Sequence, residues 1–189
     1  MVVTLATSGT AASTDYTVST TITIPEGAQL AAVTLVATPD SLNEANETVI
    51  IDVVAVENGV ENGTQTQTVE ITNDDEIPTV SLSVGNTGIN ENGETALVTV
   101  TLSAISGKTV TTTLAKTGSA TETKDYTLVS TVTIPEGAAK GEVFLTGVDD
   151  ILDEFSETLI IDISTVTNAN EAGGDLGQQK TVTITDNDP

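Results

Sequence analysis

The sequence contains no histidine, cysteine, arginine or tryptophan, and only five lysines supply positive charge. Each absence closes a class of function. Without histidine or cysteine there is no Ser-His-Asp or Cys-His catalysis, no thiolate or imidazole metal site and no disulfide. With a net charge of −23, binding to nucleic acid is excluded, because phosphate neutralisation needs a basic surface. An anionic membrane surface repels such a chain for the same reason. No apolar run is long enough to span a bilayer, so no membrane insertion is expected. Residues 1–30 show no basic segment followed by an apolar core, so no signal peptide is visible there. Aromatic residues are 2% of the chain, which leaves Val, Ile, Leu and Ala to build any core. Missing cysteines do not by themselves set the compartment.

What is present is acid, β-branched residues and repetition. The 189 residues include 28 Asp and Glu. That much like charge opposes compaction unless counter-ions bind. Abundant Thr and Val suit pleated, half-buried strands. Asp15–Ala28 matches Asp125–Ala138 at an offset of 110 residues, and the match continues through Glu44/Glu154, Glu47/Glu157 and Asp52/Asp162. The offset becomes 113 where Thr68–Asp75 matches Thr181–Asp188, so one loop is three residues longer in the second copy. Val2–Leu5 aligns with Thr111–Leu114, and nothing in the first copy corresponds to Thr79–Lys108. The reading is two domains: a partial one over 1–77, short of about two strands, and a complete one over 78–189.

The second copy predicts seven strands: Thr79–Val84, Ala96–Leu102, Thr109–Ala115, Thr127–Ile134, Gly141–Val148, Thr158–Ile163 and Thr181–Thr185. Most alternate apolar and polar residues, and none has a helical period. Short antiparallel strands in this number imply an all-β, immunoglobulin-like sandwich, without the Cys…Trp…Cys pattern of antibody domains. If strands run up and down in turn, the connections after the first, third, fifth and seventh share one pole. Those connections carry Glu91, Asp125, the stretch Asp149–Glu157 and Asp186-Asn187-Asp188. Five of the nine residues in Asp149–Glu157 are carboxylates. A single acidic loop is as readily a solvated turn as a cation site, but several converging loops favour a cation. Hard oxygen donors in such numbers point to Ca²⁺, which takes about 6–8 of them.

Several pieces together resemble the Calx-beta domain family: Asn90-Glu91-Asn92-Gly93, Lys124-Asp125-Tyr126, Thr133–Gly137, Asp149–Glu157 before an apolar strand, and Val182–Asp188. The resemblance covers Pro78–Asp188, and its later two-thirds recurs in Val2–Asp75. It implies an immunoglobulin-like sandwich binding Ca²⁺ at one pole, in a module used by exchangers, integrin tails and tandem bacterial adhesins. Carried over by position, the implied ligands are Glu91, Asp125, Asp149, Asp150, Asp153, Glu157, Asp186 and Asp188. Asn187 stands where the family usually has aspartate. The first copy retains Asp15, Asp40, Glu47, Asp74 and Asp75, with Glu44 as a helper. There Pro39, Asn43 and Asn73 replace Asp149, Asp153 and Asp186, and Glu91 has no counterpart. A weaker or partial site is expected in that copy.

The function expected is non-enzymatic: a Ca²⁺-stabilised structural or adhesive segment of a secreted or cell-surface protein. Ions would stiffen each sandwich pole and the joint near Glu76-Ile77-Pro78. The partners would be neighbouring repeats of the same array, or other copies of the chain. The alternatives are a regulatory Ca²⁺ sensor that changes the inter-domain angle, and a ligand-binding adhesin domain. Glycoside hydrolysis by paired carboxylates is disfavoured, since no aromatic platform for a sugar is present. Tyr16 and Tyr126 read as packing residues. Outward Thr rows such as Thr99/Thr101 and Thr131/Thr133 read as ordinary exposed sheet. The sequons at Asn46 and Asn62 are weak signals.

Overall fold

The structure is a computed structural model that describes residues 1–174 and 177–189. Asp175 and Leu176, in the long connection Val166–Gln179, lie outside the described residues. Among the described residues every regular element is a β-strand. The chain forms two compact units, Met1–Ser41 with Ala45–Asp74, and Leu42–Glu44 with Asp75–Pro189.

The first unit holds β1 (Val2–Gly9), β2 (Tyr16–Thr17), β3 (Thr21–Thr23), β4 (Val36–Ala37), β5 (Glu47–Glu57) and β6 (Thr66–Ile71). Four of these make an antiparallel sheet in the order β3-β1-β5-β6, and β2 with β4 makes a separate two-stranded ribbon. The second unit holds β7 (Thr79–Val84), β8 (Gly88–Asn90), β9 (Thr95–Leu102), β10 (Val110–Gly118), β11 (Tyr126–Leu128), β12 (Thr131–Ile134), β13 (Lys140–Gly147), β14 (Glu157–Thr167), β15 (Asn170–Glu171) and β16 (Lys180–Thr185). One of its sheets runs β12-β10-β14-β16-β8 and the other β11-β13-β9-β7-β15.

The two sheets of the second unit share one apolar core. Alternate positions face it: Val80 and Leu82 on β7, Val98 and Val100 on β9, Leu159 and Ile161 on β14, Val182 and Ile184 on β16. Period-two burial of Val, Ile and Leu is what lets a chain so poor in aromatics fold. Each such side chain contributes about 1.5–3 kcal/mol when fully buried. Thr112 breaks the apolar rule. It lies fully buried on β10 between Val110 and Leu114, and its hydroxyl has no hydrogen-bond partner.

The all-β sandwich matches the sequence expectation, with one revision of its strands. Thr127–Ile134 is not one strand. It divides into β11 and β12, which belong to different sheets. Leu128 and Val132 are buried on either side of the crossing, while Val129 is 62% exposed. Ser130 sits at the corner, and its carbonyl accepts from Leu114 N–H at 2.7 Å. Two short strands, β8 and β15, were not expected, and both pair in parallel, β8 with β16 and β15 with β7.

The repeat persists in atomic detail. β1 and β10 each slip register at equivalent points, Thr4/Leu5 and Thr113/Leu114. Each ends in a glycine at φ +123°, Gly9 and Gly118, where a Cβ would fall 2.1 Å from a carbonyl oxygen of the neighbouring strand. Only glycine tolerates both that backbone angle and that approach.

Candidate metal centre

The carboxylates of the second unit are placed by strand register. β8 and β16 are parallel partners, with Gly88 opposite Thr183, Ile89 opposite Ile184 and Asn90 opposite Thr185. The next residue on each strand is acidic, Glu91 on one and Asp186 on the other. The register therefore delivers both side by side, and Glu91 N–H donates to Thr185 O at 3.2 Å. Ile89, 2% exposed, anchors β8 in the core below them. A tight turn then folds the tail back, with Asp188 N–H donating to Asp186 Oδ1 at 3.1 Å. Glu91, Asp186 and Asp188 end with carboxylate oxygens within 4.8 Å of one another.

A second group forms from Asp125, Glu154 and Glu157, again with oxygens within 4.8 Å. Asp125 precedes β11 and is buried, its carboxylate accepting from Thr121 N–H. Glu157 opens β14, and Glu154 comes from the acidic loop before it. The two groups are joined, because Glu154 N–H donates to Asp186 Oδ2 at 2.9 Å. Glycine at 147 makes room for this arrangement. A Cβ there would lie 2.4 Å from Asn90 O and 2.8 Å from Glu91 Cα. The equivalent residue of the first copy is Ala37, where Glu91 has no counterpart.

Burial, hydrogen bonding and neighbouring charge shift these groups. Burial, then a hydrogen bond with Asp186, raises the Glu91 carboxyl to about 7. Glu157 is raised to about 7, first by a hydrogen bond with Asp125 and then by burial. Asp188 is raised by burial and by the charges of Asp186, Asp149, Asp150 and Asp153. Asp186 moves the other way, held down by N–H donors from Asp188 and Glu154. One oxygen of Asp188, Oδ2, is buried and has no hydrogen-bond partner. Among the described residues the salt bridges are Lys116–Glu122 and Lys140–Glu142, so no lysine neutralises either group.

The residues singled out from sequence are distributed as follows. Glu91, Asp186 and Asp188 share one group, and Asp125 and Glu157 share the other. Asp149, Asp150 and Asp153 are exposed at the rim. Asp149 accepts a 3.4 Å hydrogen bond from the Asn187 amide, and Asp150 accepts from Leu152 N–H at 2.7 Å. Glu154 was not among the residues singled out from sequence, since within a dense acidic run nothing local separates it from its neighbours.

In the first unit no three carboxylates come together among the described residues. Asp15 instead closes its own loop, accepting from Ala12 N–H at 2.5 Å and from Thr14 Oγ1 at 3.0 Å. Asp40, Glu47 and Asp74 belong to the same unit, and Asp75 to the second. Asn43, which replaces Asp153 in the repeat, is buried within the second unit. Its amide donates to Asp75 O and accepts from Lys108 Nζ, both at 3.0 Å. Helices are absent among the described residues, so none is long and apolar enough to cross a membrane.

No protein-family model matches the sequence, and no curated protein does. Among solved structures, the apo form of the Calx CBD1 domain is similar, with a TM-score of 0.49 and 19% identity over 60% of this chain and 100% of that one. The calcium binding domain CBD12 of CALX1.1 gives 0.47 and 18%, over 58% of this chain and 46% of that one. CBD12 from CALX1.2 gives 0.42 and 16%, over 97% and 86%.

Proposed function

We propose that the second unit binds Ca²⁺ through Glu91, Asp186 and Asp188 on one side and Asp125, Glu154 and Glu157 on the other, with Asp149, Asp150 and Asp153 at the rim. The observation that carries this is the convergence of six carboxylates from separate connections, with no lysine among them and with Asp188 Oδ2 buried and unpaired. Like charges are held together here at a cost that a divalent cation removes. The donors are all hard oxygens, which suit Ca²⁺ and not Zn²⁺. Mg²⁺ fits less well, because it demands near-ideal octahedral geometry and keeps most of its water.

The role of the bound ion is structural and the chain is not an enzyme. A site with Kd about tenfold below ambient Ca²⁺ adds about 1.4 kcal/mol of stability by mass action. Low-affinity modules of this kind work where Ca²⁺ is about millimolar, outside cells. A Kd in that range would fit a stalk or adhesive segment of a secreted or cell-surface protein, beside further repeats of the same type. A regulatory sensor is the second reading, and affinity separates the two: submicromolar binding favours the sensor.

Calorimetric melting in EGTA and in millimolar Ca²⁺ tests the proposal. The expected result is a higher Tm with Ca²⁺, with most of the gain lost in Asp153→Ala/Glu157→Ala and in Asp186→Asn. Coincident melting curves together with a heatless Ca²⁺ titration overturn it.

A further inference from the structure

We propose that the first unit is an acceptor for an amphipathic β-hairpin of the Thr79–Leu102 type, taken up at an open strand edge and over an uncovered apolar face. The second unit shows what such an edge and face carry when complete. There β13 is a seven-residue ladder against β9, from Lys140 opposite Thr101 to Thr146 opposite Thr95, and β9 in turn pairs with β7. The repeat maps β13 onto Leu30–Ala37, its seven ladder residues onto Leu30–Val36. Its other neighbour is retained in the first unit. β4 pairs with β2 in the same register as β13 with β11, Tyr16 opposite Ala37 where Tyr126 is opposite Gly147. Thr38 N–H donates to Asp15 O at 2.8 Å, as Val148 N–H donates to Asp125 O at 3.0 Å.

That shared register decides which amides face the open side. In the second unit Leu102 N–H donates to Ala139 O, and Gly147 N–H to Glu94 O. Odd-numbered residues of β13 therefore point their backbone groups at β9, and even-numbered ones at β11. The equivalents in the first unit are Ala31, Val33 and Leu35, whose N–H groups make no hydrogen bond to any described residue. The exposure along residues 31–36 still alternates as a strand does. Only Val36 and Ala37 form a strand here, so Leu30–Leu35 is a segment with strand-like alternation and a row of unpaired amides, which is a template for strand addition.

The apolar face beside this edge is uncovered in the same way. Ile161, Val182 and Leu145 are 0% exposed in the second unit. Their counterparts Ile51, Val69 and Leu35 are only half-buried. A groove of about 380 Å³ lined by Leu5, Ile22, Val33, Ile51 and Val53 lies there. In the second unit β7 and β9 fill the corresponding space with Val80, Leu82, Val98 and Val100. The occupant is thereby specified: two strands joined as a hairpin, Val or Leu on one face and Ser or Thr on the other, no charge on the inward face. A second copy of the sheet does not satisfy these terms, because it would cover the face without pairing the edge.

The test adds a synthetic peptide of Thr79–Leu102 to the full chain and follows amide hydrogen exchange. A peptide with Val98→Lys and Val100→Lys is the control. The expected result is about tenfold or greater slowing at Ala31, Val33 and Leu35 with the first peptide and none with the control. Unchanged exchange at these three amides overturns the proposal. So does slowing that grows with protein concentration in the absence of peptide, which assigns the face to a second copy. Slowing confined to Lys140–Gly147 also overturns it, since the peptide would then be exchanging into the second unit.

Discussion

Calcium binding to the second unit should release protons, and the amount can be worked from the site. Glu91 and Glu157 are both held at about 7, where an ordinary glutamate sits at 4.5. The causes are burial and the carboxylates of Asp186 and Asp125 beside them. Ca²⁺ takes carboxylates in their ionised form, so any proton on either group leaves when the ion enters. Each group is about half protonated at pH 7. The pair therefore gives up about one proton per second unit at pH 7, and about 0.2 at pH 8. Isothermal titration in buffers of different ionisation enthalpy reads this directly. The apparent binding enthalpy plotted against buffer ionisation enthalpy has a slope equal to the number of protons released. A slope near one at pH 7 that falls about fivefold at pH 8 is the expected result. A flat plot at both pH values, with clear Ca²⁺ heats, would refute the claim that Glu91 and Glu157 are ligands crowded by their neighbours.

The same shifts set the sign of the pH dependence without Ca²⁺. Both carboxyls are raised in the folded state, so it binds more protons than the unfolded chain between pH 4.5 and about 7. Stability in EGTA should fall as pH rises through that window, and saturating Ca²⁺ should reverse the trend, as denaturant melts at pH 5, 6 and 7 would show. Thr112→Val should stabilise the second unit by about 1 kcal/mol, because it removes a buried hydroxyl without a partner. The first copy already has Val3 at this place, and a lower urea midpoint in the variant would contradict the reasoning. Gly147→Ala should cost about 1–3 kcal/mol through overpacking and weaken Ca²⁺ binding by displacing Glu91, measured by melting and titration on the same sample. Leu159→Ala, at a fully buried core position, should cost about 2–5 kcal/mol without altering proton release in whatever fraction remains folded.

Alternation and repetition were enough to determine the all-β class, most of the strands and the pole to which the acids go. Both signals are local: a period of two in Val, Ile and Leu reads as a strand whatever its neighbours are, and an offset of 110 residues needs no coordinates. The composition likewise excluded histidine and cysteine chemistry outright. Which carboxylates meet was settled only by pairing. β8 is three residues long and looks like loop, yet its parallel register with β16 sets Glu91 against Asp186. Glu154 looks no different from Asp153 in the chain and is as exposed, but the backbone fixed by its N–H bond to Asp186 brings its carboxylate within 4.8 Å of Asp125 and Glu157. In the first copy Asp15, Asp40, Glu47, Asp74 and Asp75 read as a thinned version of the same site, and among the described residues no three of them bring carboxylate oxygens within 4.8 Å of one another. The missing strands had a further consequence that residue patterns do not carry. They left Leu30–Leu35 strand-like by alternation and by repeat but unpaired on either side, with only Val36 and Ala37 forming a strand against β2. Local preference makes a segment extended, but only its neighbours in three dimensions decide whether its hydrogen bonds and its apolar face are met.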